Sequence, residues 1–391
     1  MPLTIIRRKA AAGPLAGEQT FFATTARGVE EVLAREMTGL GLGGVTVEKG
    51  GVRFTGDLSA CYRANLWLRT ASRILIPLAE FPCDSPQQLY DGVRAISWER
   101  YLTPDTTLAV ECVLRDSSLT HSGFVALKTK DAIVDTLRDR FGRRPSVNPR
   151  DPDLLVNVHL VRNRCTISLD SSGAGLDRRG YRTEAGEAPL RETLAAALVL
   201  LAGWDGTVPL VDPLCGSGTI LIEAALMALN RAPGLVRERF GFQRWPTFDA
   251  PRWRRLVEEA RQAERTVLAA PLVGSDRLED VLAVARGNSR RAGVERFISF
   301  DVRDVRELAP PPPPGVILTN PPYGRRLGDE EQLKTFYRQI GDAFKQRGAG
   351  YAAWLFTGSL ELAKEVGLRA SRRIVLFNGP LECRLLRYDL Y

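Results

Sequence analysis

The run NPPYG at 320–324, directly after the apolar stretch VILT, holds the residues whose types and order say most about chemistry. Pro321 and Pro322 stiffen the turn and remove two backbone donors. What remains at the strand's end is a pair of fixed acceptors: the Asn320 side-chain oxygen and a prolyl carbonyl. Two aimed acceptors suit an exocyclic amino group. Tyr323 then offers a flat face on which a base can stack. An Asn-Pro pair alone reads equally well as a turn; the second proline and the aromatic favour a site.

A second stretch is VDPLCGSGTILIEAA at 211–225. It reads as a strand, a glycine-rich turn and a helix. Gly216 and Gly218 let the backbone approach a ligand, and the helix start supplies free N–H groups. Position 221 is Leu, so this is not the dinucleotide fingerprint. No Gly-Lys-Ser/Thr follows, so it is not a phosphate-cradling P-loop. A ligand without a demanding polyphosphate remains, and Asp212 could meet the ammonium of an amino-acid moiety. A tight strand-to-helix turn with no ligand is the plainer alternative. Asp276, closing PLVGSD, could accept both ribose hydroxyls of a nucleoside, or merely cap the next helix. Asp304, after FISF, could accept from an adenine amino group, or simply end a loop. Asp276 lies farther from the glycine turn than the usual about 20 residues; an insertion at 230–265, rich in Pro, Arg and Trp, accounts for the excess.

Those strand ends need elements to hold them. From residue 188, short apolar strands alternate with helices: 209–212, 271–276, 297–300, 315–320, 351–357, 372–377 and 382–390. That rhythm predicts βαβ units and a mainly parallel sheet. Upstream the rhythm differs. A loose leader at 1–18 precedes a strand from Phe21, an amphipathic helix, a hairpin around Gly50 and Gly51, and a helix from Leu58. Strands at 73–81, 107–114, 154–160 and 164–169, with helices at 86–97 and 122–141, form a second α+β unit. The expected modules are 1–70, 71–170 and 171–391.

Composition bounds the rest. A chain of 391 residues exceeds one ordinary domain of roughly 100–200 residues. With 44% hydrophobic and 26% charged residues it is globular rather than disordered. The formal charge of +8 admits an anionic partner. Six scattered Cys without a CxxC, and only two His, leave little material for a disulfide scaffold, a metal site or a His-based triad. No metal is expected. No apolar run is long enough to span a membrane, and the N-terminal stretch lacks a signal-like apolar core. The expectation is a cytoplasmic monomer.

DPLCGSGT, GSD, RDV and NPPYG in this order resemble the S-adenosylmethionine-dependent amino-methyltransferases. The stretch TISLDSSGAGLDRRGYR, followed by APLRETLAAALVL, is similar to the THUMP-containing RNA guanine-N2 methyltransferases that act on large-subunit rRNA or tRNA. The resemblance runs from about residue 18 to the C-terminus. It implies an α/β chain: a Rossmann-like methyltransferase domain behind α+β ferredoxin-like and THUMP modules. It implies S-adenosyl-L-methionine as cofactor, with Glu192 and Thr193 near its methionine end. Asp212, Cys215, Gly216 and Gly218 would form its loop, Asp276 would take the ribose and Asp304 the adenine. Asn320, Pro321, Pro322 and Tyr323 would hold the target base, with Asn320 also beside the cofactor. Arg277 and Leu278 stand where the family often carries a second acidic residue after the ribose-binding one.

Arginine concentrates outside these loops, and Arg143, Arg144, Arg150, Arg178 and Arg179 are the expected RNA contacts. Structured RNA is the expected partner, rRNA before tRNA, and guanine N2 in 23S rRNA the expected target. A tRNA guanine N2, a cytosine N4 or an adenine N6 presents the same amino chemistry. NPPY also serves DNA amino-methyltransferases, which the THUMP-like region disfavours. A non-catalytic RNA-binding assembly factor is disfavoured by the intact NPPY and glycine loop.

Overall fold

The computed structural model describes residues 4–5, 17–182, 190–323 and 330–391. Most of the leader at 1–18, the start of the stretch at 188 and Gly324 of NPPYG lie outside the described residues. The first half contains strands β1 (Thr4–Ile5), β2 (Gln19–Thr24), β3 (Gly43–Glu48), β4 (Gly51–Gly56), β5 (Arg73–Pro82), β6 (Thr107–Arg115), β7 (Ser146–Val147), β8 (Leu154–Val161) and β9 (Arg164–Asp170). Helices α1 (Glu30–Gly39), α2 (Leu58–Trp67), α3 (Pro86–Arg94) and α4 (Ser122–Phe141) accompany them.

Local chemistry explains the boundaries. Gly50, at φ +82°, turns the β3–β4 hairpin, and Gly142, at φ +69°, ends α4 in the left-handed conformation that costs glycine least. The Asp57 carboxylate accepts from the Ala60 N–H at 3.1 Å and starts α2. These strands form one mixed sheet in the order β3-β4-β2-β5-β9-β8-β6-β7, with β1 added to β5. The two N-terminal α+β units therefore share a sheet: β2 pairs antiparallel with β5, Phe22 opposite Leu75. Alternating burial along β2 shows one face on the core and one toward solvent.

The second half runs α5 (Glu192–Leu201), β10 (Leu210–Asp212), α6 (Thr219–Ala228), α7 (Ala250–Gln262), β11 (Leu272–Asp276), α8 (Glu279–Arg291), β12 (Ile298–Val302) and β13 (Gly315–Thr319). It continues with α9 (Glu330–Arg347), β14 (Tyr351–Thr357), α10 (Leu360–Glu365), β15 (Arg372–Asn378) and β16 (Leu381–Asp389). The sheet order is β12-β11-β10-β13-β14-β16-β15, parallel except where β16 joins β14 and β15. Helices cover both faces: α5, α6 and α8 pack with one core, α9 and α10 with the other. β13 is accordingly buried at every position, as a doubly covered parallel strand should be. The chain winds one way from β10 through β11 to β12 and the other way from β13 to β14. The strand order thus reverses between β10 and β13, where open α/β sheets bind their ligands.

The 230–265 insertion does more than lengthen a loop. Phe240, Phe242 and Trp245 join the N-terminal core. Phe242 stacks on Tyr62 of α2 at 4.4 Å between centroids, and Trp253 of α7 meets Tyr62 edge-on at 5.9 Å. The insertion clamps the catalytic half to the N-terminal sheet.

No described helix is long and apolar enough to cross a membrane. Among the described residues, no group of three His, Cys, Asp or Glu side chains is placed to hold a metal ion.

Candidate active site

Asp212 ends β10 beneath the glycine turn. Its carboxyl is buried, and Oδ1 accepts from the Leu214 N–H at 3.2 Å and the Thr319 hydroxyl at 2.8 Å. Burial lifts its pKa from 3.8 to about 7; the Thr319 bond opposes the rise and the charge of Asp276 adds to it. The turn is pinned from beside it. The Cys215 N–H donates to the Ser275 carbonyl at 2.9 Å, and the Gly216 N–H reaches Asp276 Oδ2 at 3.3 Å. Asp276 Oδ1 also accepts from the Leu278 N–H at 3.1 Å, at the start of α8. Asp276 thus closes a local turn ahead of α8 without capping the helix, whose N-cap residue is Leu278, and the same carboxylate braces the glycine turn.

Gly216 sits at φ +53°, and a Cβ built there would meet nothing within 4 Å. Its exposed face is open space beside an acidic strand end. Gly218, at φ +79°, differs: a Cβ would lie 3.2 Å from the Ala285 methyl and 3.4 Å from the Phe300 ring. It is glycine for close packing against α8 and β12. Asn288 of α8, buried, donates to the Ser217 carbonyl at 3.1 Å and fixes the turn from behind.

Glu192 and Thr193 lie buried in the first turn of α5. Arg182 ties this turn to the glycine loop by donating to the Leu190 carbonyl at 2.9 Å and to Thr219 Oγ1 at 2.6 Å. Burial raises the Glu192 pKa, and the nearby Arg182 charge opposes that rise. Asp304 caps a short turn, and both its oxygens are engaged by Arg306, Oδ1 with Nε at 2.8 Å and Oδ2 with Nη2 at 3.1 Å. That guanidinium holds the Asp304 carboxyl below its usual range.

Asn320 follows β13, one strand from Asp212. Its Oδ1 is buried and has no hydrogen-bond partner among the described residues. Such an acceptor is costly to leave unpaired, and a ligand N–H would satisfy it. Tyr323 is held at its far end: its hydroxyl accepts from Asn378 Nδ2 at 3.3 Å, and its ring meets Phe356 edge-on at 6.3 Å. Gly358 leaves room for that ring, since a Cβ there would come within 2.8 Å of it. The Tyr337 hydroxyl donates to the Pro322 carbonyl at 3.3 Å and contacts Thr357 Oγ1 at 3.0 Å. Of the two prolyl carbonyls, that of Pro322 is thus already used inside the protein.

Cofactor fit can be judged from these groups. A buried carboxyl, an open glycine face and a partly buried acidic strand tip meet at the switch point. They match an aminoacyl nucleoside without a polyphosphate. Neither histidine takes part in the described hydrogen bonds of the site, and His121 caps α4 by accepting from the Phe124 N–H at 2.9 Å.

Residue type alone does not mark Thr319, Tyr337, Asn378 and Asn288 as site residues, and it groups Arg182 with the arginines read as favouring RNA rather than with the glycine loop that it braces. Of the four, only Thr319 adjoins a motif, as the last residue of VILT before NPPYG.

Arginine positions divide. Arg143, Arg144, Arg150 and Arg178 are exposed. Arg143 pairs with Asp105 at 2.8 Å. The RNA contact expected of Arg179 is corrected: only 1% of it is exposed. Its guanidinium donates to the Leu176 carbonyl at 2.6 Å, to the Arg69 carbonyl, and to Glu223 Oε2 at 3.5 Å. Arg69 in turn donates to the Arg231 carbonyl at 2.9 Å. These two side chains join the halves internally, so Arg179 cannot present itself to a polyanion.

The doubly wound sheet, the glycine turn and the NPPY strand end define a Rossmann-like methyltransferase. The methyltransferase domain of the UPF0020 (RMKL-like) family matches residues 179–387, the RlmL ferredoxin-like domain 20–75 and the THUMP domain 83–170. The chain belongs to this S-adenosylmethionine-dependent methyltransferase family. A candidate RNA methyltransferase of Synechocystis is 46% identical over 95% of this chain and 97% of its own length. A ribosomal RNA large subunit methyltransferase K/L of Syntrophotalea carbinolica is 45% identical over 95% of this chain. This chain spans about half the length of that relative, 53%. A solved candidate methyltransferase in complex with S-adenosylhomocysteine superposes with a TM-score of 0.87 at 32% identity, covering 96% of this chain and 98% of that one.

Proposed function

We propose that this chain methylates an exocyclic amino group of a base in structured RNA, with guanine N2 of 23S rRNA as the target. One observation carries the amino-group reading: the buried, unpartnered Oδ1 of Asn320 beside Tyr323. The RNA reading is supported by the THUMP match and by the names of the relatives. In this reading the modules at 1–70 and 71–170 hold RNA and 171–391 performs the chemistry, as a cytoplasmic monomer that uses no metal.

S-adenosylmethionine supplies an electrophilic methyl group on a sulfonium. Asp212 ionises to meet its ammonium, the Gly216 face admits it, and Glu192 and Thr193 border its methionine end. Cys215 and Gly218 shape the loop. Asp276 would accept from the ribose, and Asp304 from the adenine through the one Oδ2 lone pair that Arg306 leaves over.

Tyr323 stacks on the flipped or unpaired base, its ring fixed by Asn378 and Phe356. Asn320 Oδ1 and the Pro321 carbonyl accept the two amino hydrogens. Pro322 holds the turn, since its carbonyl is bound by Tyr337. This turns the nitrogen lone pair out of the ring's conjugation. The proton is lost to solvent after transfer, so positioning rather than a general base sets the rate. Arg143, Arg144, Arg150 and Arg178 contact phosphates.

Mass spectrometry of rRNA and tRNA nucleosides from cells with and without the gene tests the assignment. Loss of N2-methylguanosine from 23S rRNA is expected. Loss confined to tRNA or to another methylated base would redirect the target, and unchanged nucleosides in both RNAs would contradict the reading.

A further inference from the structure

A cavity of about 250 Å³ opens between the N-terminal sheet and the catalytic half. Thr25, Arg27 and Ser72 line it from the first half, and Arg191, Thr193 and Asn378 from the second. Its wall is one hydrogen bond from the ring assigned to the base, because Asn378 donates to the Tyr323 hydroxyl at 3.3 Å.

The two arginines are available. Arg27 is exposed, and its described side-chain contact is with the Phe377 ring rather than with a carboxylate. Its guanidinium carbon lies 4.5 Å from the centre of the Phe377 ring, which aims it without neutralising it. The backbone beneath it is seated firmly: a Cβ on Gly28 would come within 2.5 Å of the Val375 carbonyl. The Arg191 side chain is 61% exposed, and among the described residues its carboxylate contact, Asp177, is at 3.8 Å. The cavity thus has a size suited to a single nucleotide unit and two guanidinium forks at its edge, one hydrogen bond from the Tyr323 ring.

We propose that this cavity receives the ribose-phosphate of the RNA nucleotide next to the target, with Arg27 and Arg191 gripping its phosphate. The ferredoxin-like module then completes the rim of the methyl-transfer site as well as docking RNA at a distance. The inference rests on the RNA amino-methyltransferase reading. An arginine fork matches a phosphate better than it matches a base edge, and a contact one nucleotide away positions the target without having to recognise it.

The test uses the full chain, labelled S-adenosylmethionine, and protein-free 23S rRNA isolated from cells lacking the gene. The Arg27→Ala/Arg191→Ala double variant should lose about tenfold or more in kcat/KM for RNA, as expected for losing charge-assisted bonds. The salt dependence of RNA binding should become shallower by about one phosphate contact. Affinity for S-adenosylhomocysteine by calorimetry should not change. Arg27→Lys/Arg191→Lys should recover part of the rate, because charge returns without the fork. Both arginines are exposed, so thermal melting should match wild type. If the double Ala variant keeps wild-type kcat/KM and salt slope while Asn320→Ala is inactive, the cavity proposal fails and the functional reading stands. If the wild-type chain methylates neither this RNA nor tRNA from the same cells, both fail.

Discussion

The ends of β10 and β13 lie side by side and have opposite hydrogen-bonding states. At β10 the Asp212 carboxyl is already answered by the Leu214 N–H and the Thr319 hydroxyl. One residue past Thr319, the Asn320 oxygen is buried with no partner among the described residues. Successive side chains leave a strand on opposite sides, so Thr319 can serve the β10 end while Asn320 faces elsewhere. The cofactor side is stiffened by the protein itself. On the proposed reading the base side holds an acceptor with no partner among the described residues, and leaving such an acceptor unmade costs about 1–3 kcal/mol. Catalysis by positioning needs both: a fixed cradle, and one strong reason for the amino group to occupy a single orientation.

The contrast can be broken from either side. The largest effect is expected at the glycine turn. Gly216→Val places a β-branched residue at φ +53° and fills the open face. Calorimetry with S-adenosylhomocysteine should show affinity lower by about a hundredfold or more. Unchanged affinity would place the cofactor elsewhere.

Next is the pH response of Asp212, whose burial raises its pKa to about 7. A carboxyl with a folded value above its unfolded one favours folding while protonated. That contribution is fully present below about 3.8 and is lost as pH rises through about 7. Cofactor affinity should run the other way, rising through the same window as the carboxylate ionises to meet an ammonium. Asp212→Asn should flatten both curves, read by thermal melting and calorimetry across neutral pH. A cofactor affinity in wild type that ignores pH there would detach Asp212 from the ammonium.

The smallest effect is expected at Tyr337→Phe, which removes the donor to the Pro322 carbonyl and leaves the ring in the core. Single-turnover methylation should slow about tenfold, with cofactor affinity kept. A wild-type rate would mean that the two prolines alone hold the turn.

Much of this arrangement was legible in the chain because it is local. The glycine turn needs positive φ at two nearby residues, and NPPY stiffens its own backbone. Strand 351–357 and helix 122–141 occur where a short apolar run and helical spacing place them. What was not legible depends on distant partners. Tyr337 reaches Pro322 only because α9 packs across β13 and β14. Arg178 and Arg179 are neighbours of one type, yet one is exposed and the other buried, since carbonyls from separate segments surround only the second. The insertion read as an interruption is an aromatic clamp, because Tyr62 waits for Phe242 and Trp253 nearly two hundred residues before them. Composition carries no sign of such pairings.

In the proposed mechanism the unpartnered Asn320 oxygen orients the reacting amine. Single-turnover methylation of 23S rRNA by Asn320→Ala, with cofactor and RNA binding measured on the same protein, tests it most directly. The rate should fall about a hundredfold or more while both affinities hold. A rate near wild type would make NPPY a rigid turn and nothing else, and would contradict the amino-methyltransferase mechanism.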